Sequence, residues 1–124
     1  MSQCLGVRGA TTADANTPDA IVSATEELLR ELVTANDIAE NDVAAVFFTT
    51  TPDLDAEFPA VAARIGLGWE HTALMSSHEI AVPGAPLAVI RTLLLVNTDR
   101  RKDDLVHVYL RGARNLRARG TNKQ

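Results

Sequence analysis

Arg8, Arg64 and Arg91 lie in stretches otherwise built from small or apolar residues. The chain around them is acidic, with fourteen Asp and Glu against four Arg over residues 1–99. The fourth, Arg30, follows Glu26 by one helical turn and reads as a solvated helix-face residue paired with it. A guanidinium without a neighbouring acid suits an anion. A carboxylate fits best, because its two oxygens match the planar fork. The competing reading is that these arginines neutralise Glu79 or an Asp inside the fold.

Other reactive residues form no recognisable set. Cys4 is the single cysteine, which excludes an internal disulfide and a Cys-cluster zinc site. Ser76 and Ser77 stand beside His78 without the glycines of a nucleophile elbow. His71, His78 and His107 lack metal-ligand spacing, and no Gly-rich phosphate loop occurs. An anion binder remains, or an enzyme that works by fixed charge with little proton transfer. No metal and no cofactor is expected.

These residues need a scaffold, and 124 residues with 46% hydrophobic and 23% charged composition make one folded domain. We place it at residues 1–117, with 118–124 as a basic tail. The net charge of −4 is uneven, since residues 100–124 hold eight bases and two acids. Nucleic acid is not an expected partner: the body is acidic, and aromatics are only 4% and do not interleave with the tail bases. No membrane span is expected. The start of the chain has no basic-then-apolar leader pattern, so the cytoplasm is the expected compartment.

The pattern along the chain reads β-α-β-α-β-β-β, a mixed sheet with helices packed on it, of α/β (α+β) class. Cys4–Thr11 alternates as a first strand, with Arg8 between Gly6 and Ala10 on one face. Thr17-Pro18-Asp19 starts a helix that runs to Ala35 or Asn36, with Ile21, Ala24, Leu28, Leu29 and Leu32 as its apolar stripe. Val43–Thr51 is a buried strand, and Phe58–Ile65 a short helix stopped by Gly66. Gly68–Met75 reads as a strand. Ile90–Thr98 reads as a central strand, with a helix over Leu87–Leu95 as the alternative. A polar turn follows through Leu105, and Val106–Leu110 alternates as the last strand. Residues 111–124 carry five bases and are expected to be mobile until an anion binds. Few acids fall on the strands, so association through sheet faces or edges is expected.

Several of these residues together carry a likeness. Arg8-Gly9-Ala10-Thr11-Thr12, Thr51-Pro52-Asp53-Leu54, Phe58-Pro59-Ala60, Glu79, Ile90-Arg91 and His107-Val108-Tyr109-Leu110 resemble, in order and spacing, the monofunctional chorismate mutases of the AroH class. The resemblance spans Gly6 to Arg117. It implies a small subunit with a mixed sheet, three of which form a trimeric pseudo-α/β-barrel with active sites between adjacent subunits. It implies the Claisen rearrangement of chorismate to prephenate, the branch step toward phenylalanine and tyrosine, without cofactor, metal or covalent intermediate.

That reaction explains the arginines. Chorismate carries two carboxylates, and its ether oxygen gains negative charge as the C–O bond breaks. Holding the compact conformer and placing a cation at that oxygen favours the transition state over the substrate. The resemblance assigns that cation to Arg91 and the carboxylate near the ring and hydroxyl to Glu79. It assigns the grip on the side-chain carboxylate to Arg8, with Tyr109 nearby. Phe58 and Arg64 match residues supplied across the interface. Met75, Ser76, Ser77 and His78 match the segment that lines the pocket, and Leu116 and Arg117 match the tail that closes it. Two positions depart from the family pattern: Ser76 replaces a cysteine and Val61 a lysine. The rival reading is a non-catalytic homologue that binds a small dicarboxylate.

Overall fold

The structure is a computed structural model that describes residues 2–116. Five strands form one mixed sheet: β1 (Gln3–Thr12), β2 (Val43–Thr50), β3 (Ala73–His78), β4 (Val89–Thr98) and β5 (Val108–Tyr109). Their spatial order is β3-β2-β4-β1-β5. β4 is antiparallel to both β1 and β2, whereas the outer strands β3 and β5 run parallel to β2 and β1. Among the described residues, no helix is long and apolar enough to cross a membrane.

One long helix, α1 (Pro18–Asn36), covers one face of the sheet. Thr17 caps its start by accepting the Ala20 N–H at 3.1 Å, and Pro18 sits where a missing donor costs nothing. Ile21, Ala24, Leu28, Leu29 and Leu32 are all fully buried. The leucines pack on Val7, Val46, Phe48, Leu94 and Val96 of the sheet. Complete burial of each such side chain stabilises by about 1.5–3 kcal/mol. Gly9 permits the approach, since a Cβ there would stand 2.8 Å from Leu32 Cδ1 and 3.0 Å from Leu28 Cδ1.

Four expectations need correction. The short helix is mostly of π type: Ala60 and Val61 start it, and Ala62–Gly66 form a π turn in which the Leu67 N–H reaches Ala62 O at 3.1 Å. Ala62 and Ala63 are fully buried within the core that α1 shares. β3 begins at Ala73, not Gly68. Gly68 takes a φ of +72°, Trp69 plugs the core, and Thr72 Oγ1 donates to Glu40 Oε2, so residues 68–72 form a tied turn. The last strand shrinks to two residues. The Val106 N–H and C=O are taken by the side-chain amide of buried Asn36, at 2.7 and 2.9 Å. His107 Nδ1 then accepts the Arg8 N–H at 2.9 Å, where a ladder carbonyl would otherwise stand. Finally, residues 111–116 are not loose. They fold into 3-10 turns that bury Ala113 and Leu116 against Ala10, Val89 and Tyr109. The remaining basic tail lies outside the described residues.

Candidate active site

The face of the sheet away from α1 carries the chemistry. Register decides which residues meet there. Ser77 pairs with Thr49, Thr49 with Arg91, Arg91 with Ala10, and Ala10 with Tyr109. The next row on that face is Met75, Phe47, Leu93 and Arg8. Two arginines from different strands therefore stand on one face, diagonal to each other, with Leu93 and Ala10 as their direct partners.

Glu79 completes this arrangement from the end of β3. Its N–H donates to Thr50 O at 2.8 Å, which carries the edge strand round to the cleft. Thr49 Oγ1 donates to Glu79 Oε2 at 2.5 Å. Arg91 Nε lies 3.8 Å from the same oxygen, too far for a hydrogen bond but close enough for charge attraction. The Arg91 guanidinium makes no hydrogen bond to any described residue, and neither does that of Arg8. Both cations keep their donors for a ligand.

Arg8, Glu79, Arg91, Tyr109 and Leu116 line one open cleft of about 380 Å³, with Phe47, Thr49 and Leu93 as further walls. That volume suits a small organic anion. Leu116 is 5% exposed and packs with Ala10, Val89, Tyr109 and Ala113, so the C-terminal turns form one wall of the cleft. Five of the expected residues are thus brought together. Phe47, Thr49 and Leu93 were not foreseen. Their only sequence signal is position on alternating strands, which says nothing until register is known.

The other expected residues are not among those that line this cleft. Phe58, Ser76, Ser77 and His78 line a second hollow of about 300 Å³ with Pro59 and Glu57. Phe58 is 66% exposed. Alternation along β3 sends Met75 and Ser77 to the cleft face and Ser76 and His78 to the face of α1, though neither Met75 nor Ser77 lines the cleft itself. His78 Nδ1 lies 3.0 Å from Thr50 Oγ1, whereas the buried Ser76 Oγ has no partner among the described residues. Arg64 stands exposed on the π turn and lines neither hollow. Arg117 lies outside the described residues.

The Thr51-Pro52-Asp53-Leu54 motif proves to be a brace. Asp53 Oδ2 accepts the Ala88 N–H at 2.9 Å, and Thr51 Oγ1 accepts the Val89 N–H at 3.0 Å. Both bonds hold the start of β4, two or three residues before Arg91. Arg30 also does more than its sequence reading. It pairs with Glu26 at 2.9 Å as expected, and also donates to Gly66 O at 3.1 Å, tying α1 to the π turn beside Arg64.

A mixed α+β sheet with a cationic, apolar-walled cleft and one held carboxylate defines a class of protein that handles a small anion by charge and shape. Comparison with known proteins gives the family. Residues 4–119 match the model of chorismate mutase type I, and the chain belongs to that family. It is 49% identical over 113 residues to the chorismate mutase AroH of Thermus thermophilus, covering 90% of this chain and 92% of that protein. It is 37% identical over 105 residues to the chorismate mutase AroH of Bacillus subtilis, covering 85% and 83%. A solved chorismate mutase from Clostridium thermocellum superposes with a TM-score of 0.86 at 50% identity, covering 88% of this chain and 96% of that one. The enzyme is an isomerase.

Proposed function

We propose that this chain rearranges chorismate to prephenate in the cleft of Arg8, Glu79, Arg91 and Tyr109. The carrying observation is two unspent guanidinium groups facing one cleft beside a carboxylate that is already held. Family membership supplies the reaction, and the site chemistry agrees with it.

The rearrangement is unimolecular and moves no proton. The protein must select the compact conformer and stabilise charge as it develops. Arg8 and Tyr109 take a substrate carboxylate and fix the enolpyruvyl side chain. Arg91 stands at the ether oxygen, where its unspent donors meet negative charge that grows toward the transition state. Glu79 faces the ring and its hydroxyl. Thr49 occupies Oε2, which leaves Oε1 for the substrate. Phe47, Leu93 and Leu116 exclude water from the reacting bonds, which strengthens each electrostatic contact.

The site is completed by a second copy. Phe58, Arg64, Ser76, Ser77 and His78 lie outside the cleft of their own protomer, and in a trimeric pseudo-barrel they serve the cleft of the neighbour. In support, Phe47, Phe58, Met75 and Leu93 are large apolar residues left exposed in a single chain. A chain with a single cysteine needs no oxidising compartment to fold, which fits the cytoplasm.

Loss of chorismate absorbance on adding purified protein tests this, with Arg91→Ala measured alongside. Turnover by the parent and its loss in the variant support the assignment. A folded parent that binds chorismate without consuming it makes the protein a dicarboxylate binder instead.

A further inference from the structure

Arg111 lies outside the cleft, yet it fastens the segment that forms one cleft wall. Its Nε stands 3.0 Å from Glu27 Oε1 on α1, and an outer guanidinium nitrogen stands 3.4 Å from Asp14 Oδ1 in the loop after β1. One fork thus takes two carboxylates from two different elements. The residue does so from an unfavourable backbone, with φ at +51°. A left-handed conformation disfavours a long side chain and suits glycine or asparagine. Glycine follows directly at position 112, so backbone geometry gives no reason for arginine at 111. The ion pairs do.

Around this point the chain is docked from several sides. The Leu110 N–H donates to Ala10 O at 2.9 Å, and the Gly112 N–H donates to Thr12 Oγ1 at 3.1 Å. Tyr109 precedes the clamp and Leu116 follows it, and both line the cleft with Arg8 and Arg91. A shift of residues 109–116 would move both walls together.

We infer that Arg111 is a positioning residue for the chorismate cleft, holding the Tyr109–Leu116 segment in register with Arg8 and Arg91 by charge pairing to Glu27 and Asp14. The inference rests on the functional reading above. Because the pairs are partly exposed, their effect is modest and falls on substrate capture before it falls on the chemical step.

The test compares the parent with Arg111→Gln, Arg111→Lys and Glu27→Gln. Two kinds of measurement are read: the steady-state constants kcat and KM for chorismate, and amide hydrogen exchange at Gly112 and Ala113 in substrate-free protein. Arg111→Gln is expected to raise KM about two- to fivefold with kcat retained, the scale of exposed charge pairs. It is also expected to speed exchange at those two amides while core amides of β1 and β4 stay protected. Glu27→Gln should show a weaker form of both changes, and Arg111→Lys should recover part of each. Unchanged KM and unchanged exchange in Arg111→Gln overturn the inference. So does faster exchange spread across the whole sheet, which marks a merely structural role. An inactive parent is a separate result: no variant turns over, and the functional reading fails with it.

Discussion

Thr49 Oγ1 donates to Glu79 Oε2 at 2.5 Å, the shortest tie on the active-site carboxylate. Arg91 approaches the same oxygen at 3.8 Å without bonding to it. Glu79 is therefore oriented by a neutral hydroxyl, and the cation beside it stays available. A direct Arg91–Glu79 fork would have spent the donors that the reaction needs.

Removing that hydroxyl should cost activity. Thr49→Val is expected to lower kcat/KM about tenfold to a hundredfold, because a hydrogen bond to a charged group contributes about 1.5–3 kcal/mol. Thr49→Ser keeps the donor and should recover most of the loss. Steady-state kinetics on the three proteins decide it, and equal activity in Thr49→Val would remove Thr49 from the site.

Arg91→Lys separates catalysis from binding. Lysine keeps the charge but not the planar fork. We expect kcat to fall by about 10²–10³, the scale of losing one transition-state donor, with a much smaller change in KM. A variant that loses affinity and keeps kcat would assign Arg91 to substrate binding alone.

Ser76 makes a contrasting prediction. Its buried hydroxyl has no partner among the described residues, so Ser76→Ala should leave the melting temperature unchanged or slightly raised. If a neighbouring protomer's substrate is its partner, KM should rise about two- to tenfold, the value of a neutral hydrogen bond. Calorimetry and kinetics on one preparation give both numbers.

Gly9→Ala tests the packing of α1 on the sheet. The added methyl would meet Leu32, Leu28 and the Val108 carbonyl oxygen at 2.8, 3.0 and 3.1 Å. Overpacking of this kind costs about 1–3 kcal/mol, so thermal denaturation should show a clear drop in melting temperature. β5 pairs with β1 at this residue, so activity should fall as well.

A site shared between protomers predicts complementation. Arg91→Ala and Arg64→Ala chains, each weakly active alone, should regain turnover when unfolded together and refolded as mixed oligomers. Some clefts then receive an intact Arg91 from one protomer and an intact Arg64 from the next. No gain on mixing, in oligomers shown to be mixed by co-purification through an affinity tag carried on one variant only, would place Arg64 outside the site.

The residues alone were enough for much of this molecule. Thr17, Pro18 and the leucine stripe determined α1 almost to the residue, because capping and helical periodicity are local. Alternation located β1, and the apolar runs located β2 and β4. The arginines in apolar surroundings pointed to an anion, and the ordered motifs pointed to the family. Five cleft residues, Arg8, Glu79, Arg91, Tyr109 and Leu116, were legible through those motifs, but the walls between them and the extent of the edge elements were not. Thr49, Phe47 and Leu93 became site residues only when β2 and β4 took their register. A pattern along one strand tells which side chains share a face, but not which residue of another strand lies opposite. β5 was overread because its alternation is real, while Asn36 and His107, distant in sequence, take the hydrogen bonds that a longer strand would need. The C-terminal turns were read as loose from their basic composition, although Arg111 finds its acids on α1 and the loop after β1. Local propensity and periodicity are written along the chain; the pairing of distant backbone and charge is decided only when the chain closes on itself.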